Sequence, residues 1–140
     1  MSEKVAVVGN TGWGRTMASF LSRGGHEVRL LTRTEAEAVA LAALPVDFLP
    51  TSVVRSALRD ASCVVWAVPS QTMRSNVLSL VDCVPAGACH VSAAKGLEVE
   101  SGKRMTEVLR EVLGADRAHD VCALSGPNLA DEIARGLPAA

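Results

Sequence analysis

The stretch that decides the fold is Val5-Ala6-Val7-Val8-Gly9-Asn10-Thr11-Gly12-Trp13-Gly14. Four apolar residues, three of them β-branched, predict a strand buried on both faces. A glycine-rich turn follows at once. Beyond it Trp13, Met17, Phe20 and Leu21 recur at helical spacing, and Gly24-Gly25 supplies a stop. A strand, a tight turn and a helix in that order bring main-chain N–H groups to a helix N-terminus, where the dipole favours an anion. In such loops the first glycine makes the turn, the second lets a phosphate approach and the third lets the helix pack on the strand. Gly9 and Gly14 take the first and third places. Thr11 holds the second, where its side chain is expected to crowd a pyrophosphate, with Gly12 beside it giving partial relief. Dinucleotide binding is favoured over a plain turn. The same residues also read G-x-x-x-x-G-R-T from Gly9 to Thr16, one residue from a triphosphate-binding P-loop, which needs a lysine where Arg15 stands.

Outward from the loop, short apolar runs recur at residues 28–31, 63–68, 90–94 and 121–124, with a weaker one at 46–49. Helical stripes lie between them. Met73, Val77, Leu80 and Val81 form one; Met105, Val108, Leu109, Val112 and Leu113 form another, closed by Gly114. Thr34-Glu35-Ala36-Glu37 reads as a capping box opening a short helix. Strands alternating with helices predict βαβ units and an α/β fold: a doubly wound, Rossmann-like parallel sheet with helices on both faces. Ligands bind such sheets at the carboxyl ends of the strands.

Composition bounds the function. The chain has 140 residues, the length of one domain, and residues 1–140 are expected to form a single dinucleotide-binding unit. With 49% hydrophobic and 21% charged residues, disorder is excluded. A formal net charge of -1 argues against nucleic-acid binding. The longest apolar runs fall far short of the ~20 residues of a membrane span. Met1-Ser2-Glu3-Lys4 runs straight into the first strand without a signal-peptide segment, so the cytoplasm is the expected compartment. Cys63, Cys83, Cys89 and Cys122 form no C-x-x-C pair and are expected to be buried free thiols. His26, His90 and His119 lack metal-ligand spacing, so no metal is expected.

The end of the second strand bears on the cofactor. An acidic residue there would accept from the ribose 2′-hydroxyl of NAD. This chain carries Leu31-Thr32-Arg33-Thr34, and Arg33 suits a 2′-phosphate, which favours NADP over NAD. Three further segments follow later strands. They are Ala67-Val68-Pro69-Ser70 with Arg74 beyond it, Ser92-Ala93-Ala94-Lys95-Gly96-Leu97-Glu98, and Ser125-Gly126-Pro127-Asn128-Leu129-Ala130-Asp131-Glu132. Ser70 is expected to cap a helix opening near Gln71, and Arg74 to be exposed. Lys95, one of three lysines in the chain, stands where an ammonium could bind a substrate oxygen and stabilise developing negative charge.

Together with the loop, Gly25-His26-Glu27-Val28 and Gly136-Leu137-Pro138, this order closely resembles bacterial NAD(P)-dependent glycerol-3-phosphate dehydrogenase. The resemblance spans nearly the whole chain but only the N-terminal half of such an enzyme, so the domain is expected to be cut at its C-terminal end. It implies an oxidoreductase that transfers hydride between NAD(P)H and dihydroxyacetone phosphate, making sn-glycerol 3-phosphate for phospholipid synthesis. It implies a homodimer, and cofactor contacts at Gly12, Trp13, Arg33, Lys95 and Ala130, beside the loop glycines Gly9 and Gly14. Glycerol phosphate contacts fall on Lys95, Gly126 and Asn128. The family's general-base lysine belongs to a C-terminal helical domain, so no catalytic base is expected in this chain, and the isolated chain is expected to be inactive. Competing readings are a non-catalytic NAD(P)-binding module, a reductase of another hydroxyacid and the P-loop triphosphatase. The chain departs from the family at Asn128, where serine or threonine is usual, and at Leu129, where phenylalanine is common. An asparagine-containing segment before Leu44 reads as deleted, leaving part of the adenosine pocket open.

Overall fold

The computed structural model describes residues 1–138, so the expected boundary at residue 140 lies outside the described residues. Strands β1 (Lys4–Val8), β2 (Glu27–Leu31), β3 (Leu49–Thr51), β4 (Cys63–Trp66), β5 (Cys89–Ser92) and β6 (Val121–Ala123) form one sheet. Every pairing is parallel, and the order is β3-β2-β1-β4-β5-β6. The helices are α1 (Gly12–Arg23), α2 (Glu35–Ala42), α3 (Val54–Leu58), α4 (Met73–Leu80), α5 (Met105–Leu113) and α6 (Ala130–Ala134). The chain winds outward from β1 through β3, then crosses back to β4 on the other side of β1. That reversal between β1 and β4 is the switch point where such sheets open a crevice.

Burial on both faces explains why the strands are apolar throughout rather than alternating. Val5, Val7, Val28, Leu30 and Val65 pack on one face with Ala18 and Leu41. Ala6, Val8, Val64 and Trp66 pack on the other with Leu58, Met73, Val77, Val108 and Leu109.

Four expectations shift. The weak strand at 46–49 moves to Leu49–Thr51, where Pro50 pairs with Leu30 at the sheet edge and needs no outward N–H. Phe20, counted in the buried stripe of α1, is exposed. The thiols are less buried than expected: Cys63, Cys83 and Cys89 are half-buried and Cys122 is exposed. Burial nonetheless pushes the Cys63 thiol up to about 12. Ser70 does not cap α4; it lies inside a 3₁₀ turn, Ser70–Thr72, that precedes the helix.

His90 sits fully buried in β5. The Trp66 indole N–H donates to its Nδ1 at 3.2 Å, so the proton resides on Nε2, 3.0 Å from the Arg117 carbonyl. A cationic ring would set two N–H groups against each other, and burial pushes the His90 pKa below its ordinary value. The unfolded chain therefore takes up a proton near pH ~6.5 that the folded chain refuses. Stability from this group is fully present above that pH and is lost as pH falls below it. The urea midpoint should drop from about pH 7 to about pH 5.5, and His90→Gln should remove most of that slope. An undiminished slope in the variant would disprove the assignment.

Candidate functional site

All six strands point the same way, so their carboxyl ends share one edge. The glycine loop sits there at the switch point. Gly9 has φ +120, and a Cβ on it would lie 2.5 Å from the Ala67 carbonyl oxygen, so glycine is required on both counts. Gly14 presses on the same turn: its Cβ would lie 2.0 Å from the Gly9 carbonyl oxygen. Gly12 faces open space, with nothing within 4 Å of a built Cβ.

The Thr11 side chain lines the cleft beside the loop, and its hydroxyl is engaged within the fold. It donates to the Ala67 carbonyl at 3.0 Å and accepts from the Gly14 N–H at 2.9 Å, capping α1 and stitching β1 to β4. The Arg15 N–H is taken by the Thr11 carbonyl. The amides of Gly12 and Trp13, in the first helical turn, have no acceptor within the helix. Free N–H groups at a helix N-terminus are suited to an anion.

Two recesses flank the loop. One is a cleft of about 640 Å³ lined by Gly9, Asn10, Thr32, Arg33, Pro69 and Asn76. The other, of about 800 Å³, is a mostly apolar groove whose walls include Trp13, Met17, Leu124, Asn128 and Ile133. Gly9 and Arg33 thus meet in the first, while Trp13 and Asn128 meet in the second. Arg15 is exposed and lines a separate depression with Ser19, Leu44 and Asp47. It stands apart from both recesses, which removes the cation a P-loop would need.

Lys95 and Gly126 are brought together. The Lys95 ammonium donates to the Gly126 carbonyl at 2.6 Å, linking the ends of β5 and β6. Gly126 has φ +140, and the Asn128 side-chain amide lies against its open side. Ala130 opens α6, whose residues pack on α1. The Lys95 loop is held from below. Gln71 donates to the Leu97 carbonyl at 2.7 Å and accepts from the Val99 N–H at 3.0 Å. Arg74, expected to be exposed, makes a fork to both oxygens of Glu98 at 2.8 Å and a third bond to Glu111 at 3.0 Å. That guanidinium holds the Glu98 carboxyl down to about 2. The pair fixes the geometry of the Lys95-Gly96-Leu97-Glu98 loop.

The partnership of Asn10, which lines the cleft, with Glu37 is what the sequence reading passed over. Thr34 caps α2 as expected, accepting from the Glu37 N–H at 3.2 Å. The Glu37 carboxylate departs from the capping-box pattern by one residue. It accepts from the Arg33 N–H at 3.1 Å rather than from the cap itself. It also accepts from the Arg33 guanidinium at 3.1 and 2.6 Å and from the Asn10 amide at 3.4 Å. An arginine four residues before a glutamate at a helix start was the available signal. Among the described residues no group of three His, Cys, Asp or Glu side chains could hold a metal ion, and no helix is long and apolar enough to cross a membrane.

Residues 4–140 match the family described as NAD-dependent glycerol-3-phosphate dehydrogenase N-terminus. The chain belongs to this family. A glycerol-3-phosphate dehydrogenase [NAD(P)+] of Dehalococcoides mccartyi is 42% identical, over 97% of this chain and 42% of its own length. One from Corynebacterium diphtheriae is also 42% identical, over 98% of this chain and 45% of its own. The match to the first runs over 149 positions, more than this chain has, so the relative carries residues absent here. The fold agrees with solved structures. The glycerol-3-phosphate dehydrogenase of Coxiella burnetii superposes with a TM-score of 0.84 at 23% identity, covering 99% of this chain and 45% of that one. A ketopantoate reductase of Ralstonia eutropha gives 0.70 at 24% identity over 86% of this chain and 40% of its own. The chain spans less than half the length of the curated relatives it matches.

Proposed function

We propose that this chain is the NAD(P)-binding half of an sn-glycerol-3-phosphate dehydrogenase. The observation that carries the proposal is the family match over residues 4–140 onto a glycine loop at the switch point. Residues 1–140 form its dinucleotide-binding domain, working in the cytoplasm as part of a homodimer. The bound cofactor supplies the hydride exchanged with dihydroxyacetone phosphate. The amides of Gly12 and Trp13 hold its pyrophosphate, Gly9 and Gly14 keep the turn low enough for close approach, and Arg33 faces the adenosine end. Lys95, Gly126 and Asn128 hold the glycerol phosphate, and Lys95 and Ala130 also contact the cofactor. The ammonium of Lys95 sits where a substrate oxygen gains negative charge and can stabilise it.

The base that takes the proton from the substrate hydroxyl must lie within hydrogen-bond reach. Lys4 pairs with Asp60 and Lys103 with Glu111, so neither is placed for it. The base is assigned instead to the part of the enzyme that corresponds to the relatives' remaining length. Calorimetric titration of the chain with NADPH and with NADH tests the proposal. Saturable binding of at least one, lost in a Gly12→Val variant that stays folded, is the expected result. A folded chain that binds neither would overturn it.

A further inference from the structure

The Arg33 guanidinium is the cleft's candidate cation for a cofactor 2′-phosphate, and Glu37 already holds it. Both the Nε and an Nη of Arg33 donate to one carboxylate oxygen of Glu37. The other oxygen accepts from the Arg33 backbone N–H and from Asn10 Nδ2. The two partners differ in freedom. The Arg33 side chain is 86% exposed, whereas that of Glu37 is 23% exposed. Glu37 is thus the fixed member, and it lies on a capped helix. It also anchors the glycine loop from the side, because Asn10 Oδ1 is buried with no donor and the amide is held through Nδ2. The carboxylate stays ionised throughout the neutral range, since its bonds from Arg33 push its pKa below the ordinary value.

We infer that Glu37 sets the discrimination between NADP and NAD at this site by competing with the 2′-phosphate for Arg33. This rests on the reading of the cleft as the adenosine pocket. A 2′-phosphate would have to draw the guanidinium off the Glu37 carboxylate that already holds it. A 2′-hydroxyl demands no such exchange and can itself donate to the carboxylate. The sequence expectation drew an NADP preference from Arg33 alone. With Glu37 in place that preference shrinks, and the chain should accept both cofactors with affinities within about tenfold.

The test is a set of calorimetric titrations with NADPH and NADH on four folded chains: wild type, Glu37→Gln, Arg33→Ala and the double variant. Glutamine keeps an oxygen for Asn10 and the Arg33 N–H while removing the charge. Glu37→Gln should tighten NADPH about tenfold and leave NADH within about twofold. In the Arg33→Ala background the same substitution should change the ratio of the two by less than about twofold. Glu37→Ala, which also removes the oxygen that Asn10 and the Arg33 N–H use, should shift the ratio of the two cofactors in the same direction. Equal shifts for both cofactors, or an unchanged ratio shift without Arg33, would overturn the role of Glu37 while leaving the cleft as the cofactor site. A folded wild-type chain that binds neither cofactor would overturn the site and this role together.

Discussion

Gly14→Ala should destabilise the chain by about 3 kcal/mol or more and lower its melting temperature by roughly 10 °C. The added methyl would sit 2.0 Å from the Gly9 carbonyl oxygen, and main chain cannot move aside as a flexible side chain can. Relief requires α1 to lift from the turn, which would break the Thr11 bonds to Gly14 and Ala67. Gly12→Ala makes the informative contrast. Its methyl meets nothing within 4 Å, and the residue lies in the first turn of a helix. There alanine should stabilise by ~0.5 kcal/mol through the unfolded chain. If Gly12 meets the pyrophosphate as proposed, the same methyl stands in its way, and dinucleotide affinity should fall while the fold gains. Thermal denaturation and cofactor titration of both variants separate the two roles of the glycines. Equal melting temperatures for the two would refute the packing argument.

Trp66→Ala should cost about 3–5 kcal/mol, the range for deleting a large buried aromatic. Trp66 is fully buried in a central strand and is among the largest such side chains. Its loss opens a cavity beneath α4 and α5 and also strands His90 Nδ1 without a donor. Trp66→Phe separates the two contributions. It fills most of the volume but removes the N–H, so the residual loss of ~1–3 kcal/mol should report the unsatisfied imidazole. Urea unfolding followed by far-ultraviolet dichroism measures both. A loss below about 1 kcal/mol for Trp66→Ala would contradict the packing described.

The strands and three of the helices were legible because apolar periodicity reports burial directly. The runs at 5–8 and 28–31 lie within β1 and β2, since nothing but the core competes for Val5, Val7, Val28 and Leu30. The edge was harder to read. The residues of β3 include a proline and a half-buried threonine, and its place depends on pairing with β2 rather than on local pattern. Helix α3, only five residues long, has no side-chain cap to announce it. Within the candidate site, positions set by backbone geometry were visible. Gly9 and Gly14 stood out because glycine there answers a steric demand. Side-chain partnerships were not visible. Arg74 meets Glu98 and Glu111 across 24 and 37 residues, and Asn10 meets Glu37 across 27. Such pairs come together only after the sheet has formed.

The central position of β1 bears on how the chain is made. Val5 pairs with Val28 on one side and with Cys63 on the other. On synthesis β1 thus waits for a neighbour encoded 58 residues later, a delay of roughly 3–12 s at ordinary elongation rates. During that interval one edge of β1 has no partner, and the Thr11 hydroxyl has no Ala67 carbonyl to hold. The glycine loop is therefore completed only once Ala67 has been made. Codon choice between residues 9 and 67 therefore sets how long an unfinished, adhesive edge is presented to the rest of the cell.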